Sequence, residues 1–192
     1  FPVKPQRIIW DLRTVLDPED IAICDVGAHK MWMARMFRCD RPNTCIISNG
    51  FASMGIALPG AMAAKLAFPE RKVVAVTGDA GFLMNVQELE TAVRVGTPMV
   101  VLIWNDNGYG LIKWKQMNEY GRPSHVDFDN PDFIKLAESF GARGYRIQRT
   151  ADLLPTLEKA LADEHVTVID CPVDYGENLK LTTTLGEMVC PI

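Results

Sequence analysis

The chain has 192 residues, 48% apolar and 23% charged, with a formal net charge of −4. That is enough apolar material for one good core but a stretch for two, and the acidic balance gives no support to a nucleic-acid-binding surface. No apolar run approaches the length of a membrane span, and no signal peptide is expected ahead of the first strand.

Phe1-Pro2-Val3-Lys4-Pro5 reads as the end of a linker, and with Phe1 in place of an initiating methionine the chain is expected to be part of a longer one. Ile8, Ile9, Leu12, Val15 and Leu16 then recur at helical spacing until Asp17-Pro18. A strand is expected over 21–25, followed directly by Gly27. The stretch 30–37 is a helix apolar on nearly every side. It calls for cover all round, from sheet and loops or from another domain or subunit. A strand over 44–48 leads into a small-residue helix from about 53 to 68.

The β-branched run 73–77 predicts a third strand, 84–95 a helix closed by Gly96 and Pro98, and 99–104 a fourth strand. Asp127 to Pro131 carries N-cap and proline signals for a helix over 131–140 that ends at Gly141. A strand over 143–148, a helix over 151–162 and a strand over 166–171 follow. The tail 173–192 has no strong periodicity. Alternation of strands and helices predicts a single α/β three-layer domain: a six-stranded, mostly parallel sheet with helices on both faces. Five cysteines (Cys24, Cys39, Cys45, Cys171, Cys190) include no Cys-x-x-Cys pair. Cys24, Cys45 and Cys171 lie in strand-like runs, which reads as buried, reduced thiols and a cytoplasmic location.

The chemistry-bearing residues cluster just beyond the strand ends. Gly27, Ala28 and His29 follow the first strand; Asn49, Gly50 and Phe51 follow the second. Gly78, Asp79, Ala80 and Gly81 follow the third, and Asn105, Asp106, Asn107, Gly108, Tyr109 and Gly110 the fourth. A right-handed crossover makes the third and fourth strands parallel neighbours, so Asp79 and Asp106 share the carboxyl edge of the sheet, where open α/β sheets bind ligands. Two hard oxygen ligands among glycine turns suit Mg²⁺ holding a diphosphate.

Gly78-Asp79-Ala80 and Asn105-Asp106 resemble the thiamine-diphosphate signature, usually Gly-Asp-Gly followed by Asn-Asn. Val26-Gly27-Ala28-His29, Ser48-Asn49-Gly50, 54–60 and 87–92 are similar to acetolactate synthase and its relatives, so that the resemblance runs from about 21 to 172. It implies thiamine diphosphate and Mg²⁺ as cofactors. Asp79, Asp106 and the backbone carbonyl of Gly108 would be the metal ligands. Ala28 and His29 would lie near the diphosphate, with backbone from Ala80, Gly81 and Gly110, in a site that also takes in Gly27, Gly78 and Tyr109. Met54 would support the bent cofactor.

The implied activity is decarboxylation of pyruvate and transfer of the two-carbon unit to a second 2-oxo acid. A different thiamine-diphosphate decarboxylase or carboligase stands as the alternative. The resemblance places the catalytic glutamate in a pyrimidine-binding domain of a partner subunit, so no catalytic residue is assigned here. The isolated domain is expected to be inactive and the full enzyme a homodimer or homotetramer. Two departures stand out. Ala80 replaces the second glycine of Gly-Asp-Gly, which requires a negative φ there, and Lys115 replaces the tryptophan or glutamine found where the family selects its acceptor.

A receiver-type phosphoacceptor domain would need a pair of acids after the first strand, where Asp25 stands alone. A dinucleotide-binding domain would need Gly-x-Gly-x-x-Gly there, which Gly27-Ala28-His29-Lys30 does not supply. A purely structural dimerisation module is the third rival.

Overall fold

In the computed structural model, residues 1–178, 180 and 181 are described. Six strands, β1 (Ile21–Cys24), β2 (Cys45–Ile47), β3 (Val73–Gly78), β4 (Val100–Asn105), β5 (Arg143–Arg146) and β6 (Thr167–Pro172), form one sheet in the order β2-β1-β3-β4-β6-β5. Every pairing is parallel, so the expected six-stranded sheet holds and is parallel throughout. β1, β3, β4 and β6 are buried nearly end to end. Near-continuous apolar runs are what a parallel sheet covered on both faces requires.

Alternation along the strands divides the core in two. Ala22, Cys24, Val74, Val76, Val100, Leu102 and Trp104 face one side. They pack against α1 (Pro5–Val15), α2 (Ala28–Met36) and α8 (Leu153–Leu161) through Ile8, Leu12, Trp32, Met33, Leu153 and Leu157. Ile21, Ile23, Val73, Ala75, Val101 and Ile103 face the other. Their cover is α3 (Ala57–Ala67), α4 (Asp79–Met84), α5 (Glu88–Val95) and α7 (Phe133–Ser139), through Ala57, Leu58, Phe82, Leu89, Phe133 and Ala137. Three layers result. The small residues of α3 serve close approach: a Cβ on Gly60 would stand 3.1 Å from Ile23 of β1.

Several elements differ from expectation for local reasons. The helix expected over 84–95 is two helices. Asn85, at the break, donates from Nδ2 to the Gly55 carbonyl at 2.9 Å, and α4 begins directly at Asp79. The small-residue helix starts at Ala57, not near Ser53, because Gly55 turns the chain with φ +89°. Residues 110–120 form a further helix, α6 (Gly110–Tyr120), where the sequence predicted no element. The all-round apolar helix is α2, which buries Trp32 and Met33 while Ala34, Arg35 and Met36 stay exposed. In the tail, Val173 pairs with Val3 and Asp174 N–H donates to the Val3 carbonyl at 3.0 Å. Residues 182–192, Cys190 among them, lie outside the described residues. Cys24, Cys39, Cys45 and Cys171 are free thiols; burial pushes Cys45 up to about 12.

Candidate cofactor and metal site

The chain leaves β1 toward α2 on one face and leaves β3 toward α4 and α5 on the other. Neighbouring strands whose exits diverge open a crevice at their carboxyl ends. A cavity of about 90 Å³ lies there. It is lined by Gly27, Ala28, His29, Met54, Gly78, Asp79, Ala80, Gly81, Asp106, Gly108, Tyr109 and Gly110, the residues that the family resemblance implies for the cofactor site; Asn49, Gly50, Phe51, Asn105 and Asn107, also singled out at strand ends, do not line it. Val26, Leu111, Ile112 and Tyr175 complete it. Lys115 is exposed on α6 and does not line it.

Asp79 is 1% exposed. Its Oδ1 accepts the Ala80 N–H at 2.8 Å and its Oδ2 accepts Asn130 Nδ2 at 2.7 Å. Burial raises its pKa, and those two donors, with the backbone of Gly108 and Asn107, pull it back. Ala80 is helical and is not among the residues with positive φ, so alanine is tolerated where a glycine is usual. Asp106 is pushed up to about 7, first by burial and then by the charge of Asp79; Lys113 works the other way. Lys113 Nζ is itself paired with Asp127 at 2.8 Å. Two neighbouring carboxylates, both raised by burial and one of them also by the charge of the other, form a site that gains from a cation.

The donor set narrows which cation. Among the described residues, no group of three or more His, Cys, Asp or Glu side chains could hold a metal. Thiophilic and imidazole-bound metals are therefore poorly served. Mg²⁺ is satisfied by one or two carboxylates when phosphate, carbonyl and water oxygens complete its shell. The residues present fit that ion.

The loop between β4 and α6 is held from outside. Tyr109 N–H donates to the Val126 carbonyl at 2.8 Å, Phe128 N–H to the Asn107 carbonyl at 3.2 Å, and Gly108 forms a bridge with Asp127. A Cβ on Gly108 would sit 2.8 Å from the Val126 carbonyl oxygen. A Cβ on Gly110 would collide with Oδ2 of Asp106. Gly108 is demanded by this approach of backbone, and at Gly110 a side chain would displace the Asp106 carboxylate.

His29 is 2% exposed. Burial lowers its pKa to about 4, only partly offset by a hydrogen bond to the Asp25 backbone. The imidazole is thus neutral near pH 7, and Nε2 is buried with no partner. A buried polar atom left unpaired at a cavity wall points to a ligand group. A Cβ on Gly27 would be 2.7 Å from the His29 ring, which accounts for glycine there. Met54 is half-buried in a loop whose next residue, Gly55, is bonded to Asp25 and Asn85.

Three participants escaped the sequence reading. Asp25 appeared only as a lone acid, yet it is 1% exposed and organises the Met54 loop. Asn130 appeared only within a helix-start signal, and its partner Asp79 is 51 positions away. Tyr175 sits in the tail without periodicity; the Val3–Val173 bridge brings it over Trp104, ring centroids 6.3 Å apart. Burial, then the charges of Asp106 and Asp79, push its phenol pKa well up. No periodic signal could have found it.

Comparison with known proteins shows the family. The family model for the thiamine pyrophosphate enzyme, C-terminal TPP binding domain, matches residues 25–171. The chain is 44% identical over 179 residues to an acetolactate synthase of Bacillus subtilis (strain 168), covering 93% of this chain and 31% of that protein. It is 39% identical over 178 residues to a catabolic acetolactate synthase of Raoultella terrigena, covering 93% and 32%. A mitochondrial acetolactate synthase catalytic subunit of Saccharomyces cerevisiae is 36% identical over 176 residues, covering 90% and 26%. The chain spans about a third of the length of the curated relatives it matches. Among the described residues no helix is long and apolar enough to cross a membrane.

Proposed function

The chain belongs to the thiamine pyrophosphate enzymes as a C-terminal TPP-binding domain, and from that premise we propose that the whole protein makes a 2-acetolactate-type product from pyruvate and a second 2-oxo acid. The observation that carries the reading is the meeting of Asp79 and Asp106 with Gly27, Ala28 and His29 in one cavity at the sheet's switch point. The likeness to acetolactate synthases supports the choice of reaction.

Asp79, Asp106 and the Gly108 carbonyl are the groups to hold Mg²⁺. His29, Ala28 and the backbone of Gly78, Ala80, Gly81, Tyr109 and Gly110 would hold the diphosphate, and Met54 would prop the thiamine. Bound thiamine diphosphate supplies the carbon nucleophile and electron sink that decarboxylation of a 2-oxo acid needs. This chain's own residues orient that group and keep water from it. Their cavity of about 90 Å³ is small against the roughly 300–1,000 Å³ of a ligand pocket. That size leaves a second wall to another domain, and the family resemblance implies that this wall and the proton-transfer glutamate come from a pyrimidine-binding domain of a partner subunit.

Calorimetric titration of the whole protein tests the reading. Thiamine diphosphate with Mg²⁺ should bind, NAD and acetyl phosphate should not, and Asp79→Ala should abolish the metal-dependent signal. Binding of NAD, or an unchanged Asp79→Ala signal, defeats it. Acetolactate formation from pyruvate should accompany binding in the whole protein and be absent from this domain alone.

A further inference from the structure

The loop before α7 meets the cation site at one side chain. Asn130 Nδ2 lies 2.7 Å from Oδ2 of Asp79, 3.0 Å from Oδ1 of Asn105 and 3.1 Å from Oδ1 of Asn107. Three oxygens surround one amide nitrogen, so the amide has one acceptable orientation; flipped, its oxygen would face a carboxylate. Behind it, Asn105 Nδ2 donates to Oδ1 of Asp170 at 2.9 Å, and Arg146 Nε donates to Oδ2 of Asp170 at 2.9 Å. Asp170 is 1% exposed. The relay thus runs from β5 and β6, through the end of β4, to the carboxylate that opens α4.

We propose that Asn130 is a positioning residue for the divalent cation: it fixes the Asp79 carboxylate, with Asn105 held behind it by Asp170 and Arg146, in the orientation that metal ligation requires. The proposal rests on Asp79 being a metal ligand. An unbraced Asp79 would be free to rotate toward the backbone of Asn107 and Gly108, which already contributes to its hydrogen bonding. Groups that orient a metal's ligands typically change affinity by about 10–100-fold when removed. A purely structural part is a poor account of Asn130, because its own Oδ1 is buried without a partner. A residue present only to secure its loop would be expected to satisfy both ends of its amide.

The test compares Asn130→Ala, Asn130→Leu, Asp79→Ala and Asp132→Ala in the whole protein. Two quantities are read: the Mg²⁺ midpoint for thiamine diphosphate binding by calorimetry, and Tm without metal. Leucine preserves volume and lacks donors, so it serves if alanine impairs folding. Asp132 caps α7 through the Ile134 N–H at 3.1 Å and reports on simple loosening of the same segment. We expect both Asn130 variants to raise the Mg²⁺ midpoint about 10–100-fold with Tm little changed, and Asp132→Ala to lower Tm with its midpoint unmoved. If Asn130→Leu folds and binds Mg²⁺ as the parent does while Asp79→Ala does not, the positioning role is overturned and the site assignment stands. If Asp79→Ala also binds normally, the assignment itself fails. An equal loss of affinity in Asp132→Ala would reduce Asn130 to loop structure and overturn the proposal too.

Discussion

The carboxylate of Asp25, at the end of β1, accepts the backbone N–H of Gly55 through both oxygens, at 2.9 and 3.0 Å. Its Oδ2 also takes the Ala57 N–H and the Thr77 hydroxyl, each at 3.3 Å. One buried side chain thereby ties the Met54 loop and the start of α3 to the floor of the cavity. Burial raises the Asp25 pKa, against the pull of these donors.

Removing that carboxylate leaves the backbone amides of Val26, Gly55 and Ala57 without their acceptor. Asp25→Ala should cost about 3 kcal/mol, or a fall in Tm of about 6–12 °C for a unit of this size. Asp25→Asn, which keeps one acceptor oxygen, should cost less. Thermal unfolding monitored by circular dichroism checks both; an alanine variant that melts with the parent contradicts the role.

Asp106 sets a pH dependence. Its pKa of about 7 in the folded protein lies above the roughly 3.9 of an unfolded aspartate. The stability it contributes to the metal-free protein is therefore fully present below about pH 4 and lost as pH rises through about 7. Metal binding runs the opposite way, since a ligating carboxylate must shed its proton. Mg²⁺ affinity should be roughly tenfold weaker at pH 6 than at pH 8, with protons released on binding at pH 6. Asp106→Asn should flatten this profile. Affinity independent of pH across that range would count against Asp106 as a ligand.

His29 offers a trade between stability and binding. Its unpaired Nε2 costs the ligand-free protein about 1–3 kcal/mol. His29→Leu should then leave the ligand-free Tm unchanged or raised, while weakening thiamine diphosphate binding about tenfold for one lost hydrogen bond, which Nε2 of an imidazole already donating to the Asp25 carbonyl makes to a diphosphate oxygen by taking up a proton on binding. Calorimetry beside a melting curve separates the two effects. Unaltered cofactor affinity in the variant would remove His29 from the diphosphate site.

Gly110 tests the cleft from the other side. As a helix-start residue it should welcome alanine, which is about 0.5–1 kcal/mol better than glycine inside a helix. Yet the added methyl collides with Oδ2 of Asp106. Gly110→Ala should weaken Mg²⁺ binding several-fold, with little change in Tm, because Asp106 must turn aside. A metal titration with intact affinity would show the carboxylate has another place to go.

Much of this molecule was legible before any coordinates. Continuous apolar runs marked β1, β3, β4 and β6, because a strand buried on both faces must be apolar along its length; the edge strands β2 and β5 are only partly buried and carry a weaker signal. Glycines and acids at the strand ends marked the carboxyl edge of the sheet where the cavity lies. Helix breaks were less visible: Asn85 ends α4 by reaching Gly55 on another loop, a bond that no local pattern encodes.

The residues around the two acids became visible only in three dimensions. Asp79 and Asp106 announce themselves, each standing at a strand end among glycines. Asn130, Asp25 and Tyr175 do not, since each acts through partners distant in the chain and adjacent only after β1, β3, β4 and β6 are aligned. Spacing along a chain records which face a residue takes and where strands stop. Hydrogen bonds between loops depend on how parallel strands are ordered across the sheet, and that order is decided by packing of the whole core.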